Sequence, residues 1–148
     1  MPEDLPPEAK EMVQYYIEQE HGYLSWLDVS VDEITADSMT LSIPYDEKLT
    51  NTTEPPTIHG GIAATLADTA GGLCLRPSLK DPLEGGVVTV NLNINYLQRA
   101  QGDLTAYAEV VRAGNSIGVS QMMVESTTPD DGVEPVAAGM GAYRLFQE

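Results

Sequence analysis

The stretch TIHGGIAATLADTAGGLCL, residues 57–75, predicts the central element of the fold. Apolar residues occupy almost every side of it, a pattern typical of a buried helix, and we expect this helix to run from about His59 to Leu75. A single carboxylate, Asp68, lies in its middle. A buried carboxylate without a partner is costly, so Asp68 needs either a hydrogen-bonding neighbour or a functional role.

The start of this helix is unusual because two glycines follow His59. Gly60 and Gly61 have no side chain, so a ligand can approach their backbone closely. The first turn also carries unpaired N–H groups and the positive end of the helix dipole, which suit a developing oxyanion. The alternative is that the two glycines only permit tight packing, and the pattern alone favours neither interpretation.

Asp68 cannot reach the start of its own helix. It follows His59 by nine residues, which corresponds to about 13.5 Å along the axis and a net half turn around it. Two such helices packed antiparallel in a twofold dimer would bring each Asp68 to the partner subunit's Gly60. The alternative is an aspartate that is hydrogen-bonded to a neighbouring strand or exposed at a gap in the sheet.

The rest of the chain predicts one α+β domain spanning residues 1–148. Helical spacing of apolar residues predicts an N-terminal helix at about 7–20. The segment 46–58 is expected to be a loop because Pro55 and Pro56 disfavour regular structure. Short alternating segments predict six strands, the last of them in an antiparallel meander: residues 24–34, 38–46, 86–97, 103–113, 116–126 and 136–146.

The strand after the central helix has the clearest alternation. Strict alternation assigns one face to Val88, Val90, Leu92, Ile94 and Tyr96. It assigns the opposite face to Thr89, Asn91, Asn93 and Asn95.

Composition narrows the possible functions. The chain has 23 acidic against 7 basic residues and a formal net charge of -16. Such a surface repels nucleic acid and anionic membranes, whose binding requires Lys and Arg. A hydrophobic content of 42% is normal for a folded domain and argues against acidic disorder. We expect a protein adapted to high salt, in which self-repulsion is screened.

Other features point to a cytoplasmic protein without a metal site. The N-terminus has neither the basic start nor the apolar stretch of a signal peptide, and no run of 18 apolar residues is present. Cys74 is the only cysteine and is expected in the core. His21, His59 and Cys74 lack the spacing of metal ligands, and His21 is expected at a helix end.

The stretch HGGIAATLADTAGG and the later strand VTVNLNINYLQRA together resemble the hotdog-fold acyl-CoA thioesterases, in particular the phenylacetic-acid-degradation (PaaI-like) branch. The resemblance covers about residues 20–146. It implies an antiparallel sheet wrapped around one long helix, and a homodimer, or a dimer of dimers, built through a continuous sheet. It also implies hydrolysis of an acyl-CoA, with no cofactor besides the coenzyme A of the substrate.

The same resemblance implies roles for four catalytic residues. Asp68 corresponds to the family's carboxylate, which acts as nucleophile or as general base on water. Gly60 corresponds to the backbone N–H that polarises the thioester carbonyl, and His59 to the residue that orients this turn. Thr89 corresponds to a strand Ser or Thr that places the water.

One position departs from the family. Its members usually carry Asn or Gln six residues before the histidine, at the thioester or attacking water, whereas this chain has Thr53 there and Asn51 two residues earlier. Both are candidate substrate-binding residues, together with Gly61, and the choice between Asn51 and Thr53 stays open.

The hairpin after the next strand is the candidate site for the nucleotide or pantetheine arm of coenzyme A. In relatives this region often handles that arm, which here implies Arg112, Asn115 and Ser116. Lys80 and Arg99 are further candidate cations. For each cation the alternative is an ordinary surface salt bridge.

Two other enzyme classes fit the sequence less well, and one non-enzymatic function stays open. Residues 114–118 match the GxSxG pattern, but they lie in a predicted hairpin rather than the strand-to-helix turn of an α/β-hydrolase. A hydratase-like hotdog enzyme usually pairs Asp and His within one short motif that is absent here. A non-catalytic acyl-CoA binding or regulatory module remains the alternative to a thioesterase.

Overall fold

An antiparallel sheet forms the framework of the computed structural model, which describes residues 3–147. The strands in chain order are β1 (Ser30–Ile34), β2 (Ser38–Ile43), β3 (Thr50–Thr53), β4 (Pro56–Ile58), β5 (Gly86–Tyr96), β6 (Leu104–Ala113), β7 (Ile117–Thr128) and β8 (Gly132–Phe146). Six of them form one sheet in the order β1-β2-β6-β7-β8-β5, while β3 and β4 form a separate pair. Residues 1, 2 and 148, the ends of the predicted domain, lie outside the described range.

The central helix, α3, spans Gly60–Leu73 and packs against five strands of the large sheet. Its sheet-facing residues are mostly small, which lets the helix backbone approach the sheet closely: Ala63, Leu66, Ala67, Ala70 and Gly71. At Gly71 an added Cβ would lie 2.5 Å from Tyr143 Oη and 2.8 Å from Ser120 Oγ. The predicted α+β architecture, an antiparallel sheet with one long central helix, is therefore confirmed.

The topology matches the predicted meander in part. Strands β6, β7 and β8 are consecutive neighbours, and a tight turn at Gly114 and Asn115 joins the first two. Strand β5 precedes them in sequence but pairs with β8 at the far edge of the sheet.

The predicted alternation along β5 is wrong in its first half. Opposite β8, Thr89 pairs with Tyr143 and Asn91 pairs with Ala142, so Val90 is an extra residue in a β-bulge. A bulge shifts the alternation by one position. Thr89 therefore shares the helix-facing side of the sheet with Leu92, whereas Val88 and Val90 are 54% and 63% exposed.

The N-terminal segment is helical and contacts α3 through a hydrogen bond between Tyr23 Oη and Thr65 Oγ1 at 3.1 Å. Helix α1 (Pro7–Tyr15) continues into a π-helical turn, Tyr16–Glu20, and helix α2 occupies Gly22–Trp26. His21 ends the first of these helical segments and caps the next, because its Nδ1 accepts a hydrogen bond from the Leu24 amide at 3.1 Å. The strand predicted from Leu24 begins only at Ser30.

The segment 46–58, predicted as a loop, contains the short β3–β4 hairpin and a 3-10 turn, Glu47–Leu49. A cis Glu54–Pro55 peptide bond lies in the turn of the hairpin. Pro56 is the first residue of β4, a position where its missing N–H is tolerated. No helix within residues 3–147 is long and apolar enough to cross a membrane.

Candidate active site

Asp68 is held from two neighbouring strands. The hydroxyl of Thr89 on β5 donates a hydrogen bond to Asp68 Oδ1 at 2.8 Å. The hydroxyl of Tyr143, the residue paired with Thr89 across β5 and β8, donates to the Asp68 backbone carbonyl at 3.1 Å. Because these two side chains are a cross-strand pair, they point in the same direction and hold one residue of α3.

This arrangement leaves part of the carboxylate open. The Thr89 contact is a hydrogen bond from a neighbouring strand, which is the structural role expected for a buried Asp68 without a catalytic function. Within residues 3–147, however, no hydrogen bond reaches the second carboxylate oxygen, Oδ2. Asp68 lines a cleft, and its carboxylate is placed there to take a proton or to attack an electrophile.

Tyr143 holds this residue as a neutral donor. Burial raises the pKa of the Tyr143 phenol, and the negative charge of Asp68 raises it further. The phenol therefore keeps its proton throughout the neutral range.

The first two amides of α3 differ in their hydrogen bonding. His59 is the N-cap, and its Nδ1 accepts a hydrogen bond from the Gly61 amide at 2.8 Å. This bond requires an unprotonated Nδ1, so the neutral ring carries its proton on Nε2. No hydrogen bond within the described residues uses the Gly60 amide. Gly60, rather than Gly61, thus presents the open N–H at the positive end of the helix.

The phenol of Tyr96 fixes the same turn from β5. Its hydroxyl donates to the Gly60 carbonyl at 3.0 Å, and an added Cβ on Gly60 would lie 3.0 Å from Tyr96 Cε1. Sequence reasoning did not include Tyr96 among the site residues. Tyr96 lies in the stretch VTVNLNINYLQRA, which carries the family resemblance, but its position there indicates no contact with the helix start.

Asn51 and Thr53 lie on the hairpin that leads into α3. Both are exposed, and Asn51 is the extra residue of a bulge between Thr50 and Thr52. The hairpin is tied to the helix start by a hydrogen bond from the His59 amide to the Leu49 carbonyl at 2.8 Å. Asn51 and Thr53 are therefore near the Gly60 end of α3.

The β6–β7 hairpin lies at the opposite end of α3. There the Asn115 carbonyl accepts from Gln147 Nε2 at 2.9 Å, and the Ser116 carbonyl accepts from the Leu145 amide at 2.7 Å. Arg112 pairs with Val119, the neighbour of the helix-facing Ser120, so Arg112 lies on the outer face of the sheet. Within one chain the structure does not bring Arg112, Asn115 or Ser116 to Asp68.

One chain therefore does not assemble the complete set of predicted site residues. Gly60 and Asp68 are eight residues apart on a continuous helix, which places them about 12 Å apart along its axis. Asp68 and Thr89 are in contact, whereas the open amide of Gly60 is beyond their reach in the same chain.

A cleft of about 920 Å³ opens beside Asp68 and Thr89, between α3 and the N-terminal segment. Arg76 lines it and was missed by sequence reasoning. Its Nη1 donates to the carbonyls of Pro82 at 2.9 Å and Gly85 at 2.8 Å, and burial lowers the pKa of the guanidinium. Arg76 thus holds the loop between α3 and β5 in place.

Within the part of the chain that the structure describes, no group of three or more His, Cys, Asp or Glu side chains could hold a metal ion. The chemical groups at the site are thus a carboxylate, a hydroxyl that orients it, and a helix start with one open amide.

Comparison with known proteins places these features in a family. The model of the thioesterase superfamily matches residues 56–132, a range that includes Asp68 and Thr89. A candidate esterase of Halobacterium salinarum is 45% identical over 144 residues, covering 95% of each chain. Many solved structures share the fold, and two of them serve as examples.

The first is a thioesterase of Haemophilus influenzae, which is 20% identical and superposes with a TM-score of 0.79 over 99% of this chain and 96% of its own. The second is a thioesterase family protein of Silicibacter pomeroyi, 23% identical, with a TM-score of 0.78 over 95% of this chain and 98% of its own. With its central helix packed against an antiparallel sheet and its family match across the site, the chain belongs to the thioesterase superfamily.

Proposed function

We propose that this protein is an acyl-CoA thioesterase of the PaaI-like branch. In this proposal Asp68 of one subunit works with the helix start of a second copy, in a homodimer or a dimer of dimers, and no cofactor is needed besides the coenzyme A of the substrate. The observation that carries the proposal is the Thr89 hydroxyl bonded to one carboxylate oxygen of Asp68, a residue that lines a cleft.

The chemistry follows from these groups. As a general base, Asp68 takes a proton from a water molecule whose oxygen attacks the thioester carbonyl carbon. The negative charge that develops on the carbonyl oxygen is stabilised by the partner subunit's Gly60 amide. The C–S bond of the intermediate then breaks and expels the coenzyme A thiolate. The proton held by Asp68 passes to this thiolate, giving a carboxylic acid and free coenzyme A.

If Asp68 is instead the nucleophile, its open oxygen attacks the same carbon and expels the thiolate. Water then hydrolyses the resulting anhydride and restores the carboxylate. In both routes Thr89 performs the same task, since its hydroxyl keeps Oδ1 occupied and the orientation of Oδ2 fixed.

The sharing of the site between subunits is supported by two features. The open Gly60 amide and Asp68 are too far apart along one helix to meet. In the described chain β5 is also an edge strand, next to β8 alone, and it exposes Val88 and Val90. An exposed apolar edge strand is a template for pairing with another chain, and a second copy would extend the sheet there.

Coenzyme A carries several negative charges, which makes the few cations of this acidic chain important. Arg112 with Asn115 and Ser116 is our candidate for the phosphates or the pantetheine arm. Asn51 or Thr53, near the Gly60 end of α3, is the candidate for the polar contact to the thioester or the attacking water.

Release of free thiol from a panel of acyl-CoAs tests the proposal. The wild type should hydrolyse at least one of them, and Asp68→Ala and Asp68→Asn should lose most of this activity while keeping the melting temperature of a folded protein. Unchanged turnover in the folded Asp68 variants would refute the assigned role of the carboxylate. Binding of acyl-CoA without turnover by the wild type would support the alternative, a non-catalytic binding or regulatory module.

A further inference from the structure

Exposed apolar side chains line the cleft beside Asp68. Four of its large apolar side chains are exposed to solvent by between 39% and 59%: Met12, Tyr15, Tyr16 and Leu83. Three come from α1 and the π-helical turn that follows it, and the fourth comes from the loop between α3 and β5. Clustered exposed apolar surface that leads to a reactive group is typical of a ligand-binding cleft.

The mouth of the cleft is acidic. Glu8, Glu11, Glu20 and Glu84 line it, and all four are exposed. Among the described residues that line the cleft, Arg76 is the one Lys or Arg side chain, and its Nη1 is already bonded to two carbonyls of the protein. Such a mouth repels phosphates and carboxylates alike.

From these observations we infer that the cleft between α3 and the N-terminal segment is the acyl pocket, and that it selects an uncharged, apolar acyl group over one bearing a carboxylate. The inference rests on the proposed function. The coenzyme A portion approaches from the other side, where the second subunit's helix start completes the site. A volume of about 920 Å³ exceeds that of a small acyl group and is within the range of ordinary ligand pockets.

The physical basis of the selection is desolvation combined with repulsion. An apolar chain gains free energy when it covers the exposed methionine, leucine and tyrosine side chains. A terminal carboxylate in the same place would lose hydration without gaining a cationic partner, and it would face several like charges.

Two thioesters that differ only at the chain end test this directly. Hexanoyl-CoA and adipoyl-CoA have the same number of acyl carbons, but adipoyl-CoA ends in a carboxylate. Affinities are measured by titration calorimetry with Asp68→Asn, which slows turnover, and kcat/KM is measured with the wild type. We expect a preference of at least about tenfold for hexanoyl-CoA in affinity. Equal affinity, or a preference for adipoyl-CoA, would overturn the inference.

Matched variants locate the selection in this cleft. Met12→Ala should weaken hexanoyl-CoA binding several-fold, whereas Met140→Ala, an exposed methionine outside the cleft, should not. Glu84→Gln should reduce the discrimination against adipoyl-CoA about twofold. Glu33→Gln removes the same charge elsewhere on the surface and should leave the discrimination unchanged. Equal effects within each pair would place the acyl group outside this cleft.

Failure of the inference and failure of the proposed function give different results. If both thioesters are hydrolysed and bind equally well, the thioesterase proposal stands and the pocket assignment fails. If no acyl-CoA of the panel is hydrolysed but hexanoyl-CoA binds more tightly in a manner sensitive to Met12→Ala, the pocket assignment stands and the enzymatic proposal fails.

Discussion

Gly60→Pro removes one hydrogen-bond donor from the start of α3 and changes little else. Gly60 is the first residue of the helix, where proline is well tolerated because the amide has no partner within the helix. His59, the residue before it, has φ -58° and ψ 131°, an extended conformation that a following proline accepts. The substitution therefore tests the open Gly60 amide as an oxyanion donor without breaking the helix.

The expected loss is large. Removal of one preorganised oxyanion donor costs about 10²–10³ in kcat, or about 2.7–4 kcal/mol of transition-state stabilisation. The matched control is Gly60→Ala, which adds a Cβ 3.0 Å from Tyr96 Cε1 but keeps the N–H. Since the Tyr96 ring is 56% exposed and able to shift, Gly60→Ala should stay within a few-fold of wild type.

The assay is thiol release at saturating acyl-CoA, with circular dichroism and melting temperature as checks on folding. A folded Gly60→Pro protein as active as Gly60→Ala would refute the role of this amide. The same variant also tests the sharing of the site when it is refolded together with Asp68→Ala. Half of the resulting dimers are mixed, and each mixed dimer has one intact site, so about a quarter of wild-type activity should return. A site contained within one chain would recover none.

Four further outcomes are expected. Thr89→Val should lower kcat about 10- to 100-fold, whereas Thr127→Val, the same change at an exposed position of β7 outside the cleft, should stay close to wild type; equal effects would contradict the orienting hydroxyl. Gly71→Ala places a Cβ 2.5 Å from a buried tyrosine hydroxyl and should cost about 1–3 kcal/mol of unfolding free energy, whereas Gly22→Ala, with nothing within 4 Å of its Cβ, should be neutral in thermal melts. Burial raises the pKa of Cys74 to about 12, so a thiol reagent at neutral pH should label it only on unfolding, and stability should fall as pH rises from about 9 to 12 because the unfolded chain loses this proton first. The melting temperature should rise between low and molar NaCl, because salt screens a net charge of -16; a flat profile would contradict salt adaptation.

The central helix is the element that the sequence predicts best, because its apolar pattern is compatible with a buried helix alone. An almost wholly apolar helix that begins with His59 and two glycines has to be buried, and it is. The start of β1 was less determined, because Leu24 and Leu27 fit a strand followed by a turn as well as they fit one face of a short helix. In the structure both side chains are buried, Leu24 within helix α2 and Leu27 at its C-terminal end. The His21 ring caps the start of this helix, which stabilises the helix over a strand.

The sequence pattern did not predict the cleft or the residues that line it, for a different reason. Arg76 donates hydrogen bonds to backbone carbonyl groups of its own loop. Every residue has a backbone carbonyl, so the sequence does not indicate which of them accept these bonds. Met12 was placed on a predicted helix, but nothing in its spacing indicates that this helix lines a cleft together with α3. Such placements depend on tertiary packing between segments that are distant in sequence.

The bulge at Val90 connects the candidate active site with the edge of the sheet. If β5 were regular, Thr89 would share the side of Asn91 and Asn93, facing away from α3, and Asp68 would lose the hydroxyl that orients it. The same extra residue leaves Val90 exposed on the strand that we propose pairs with a second copy. Strict alternation predicts neither the inward position of Thr89 nor the exposure of Val90, because a bulge can form without a glycine or proline that would indicate it in the sequence. Since one local irregularity orients the acid and shapes the pairing edge, we expect changes at Val90 to alter catalysis and assembly together.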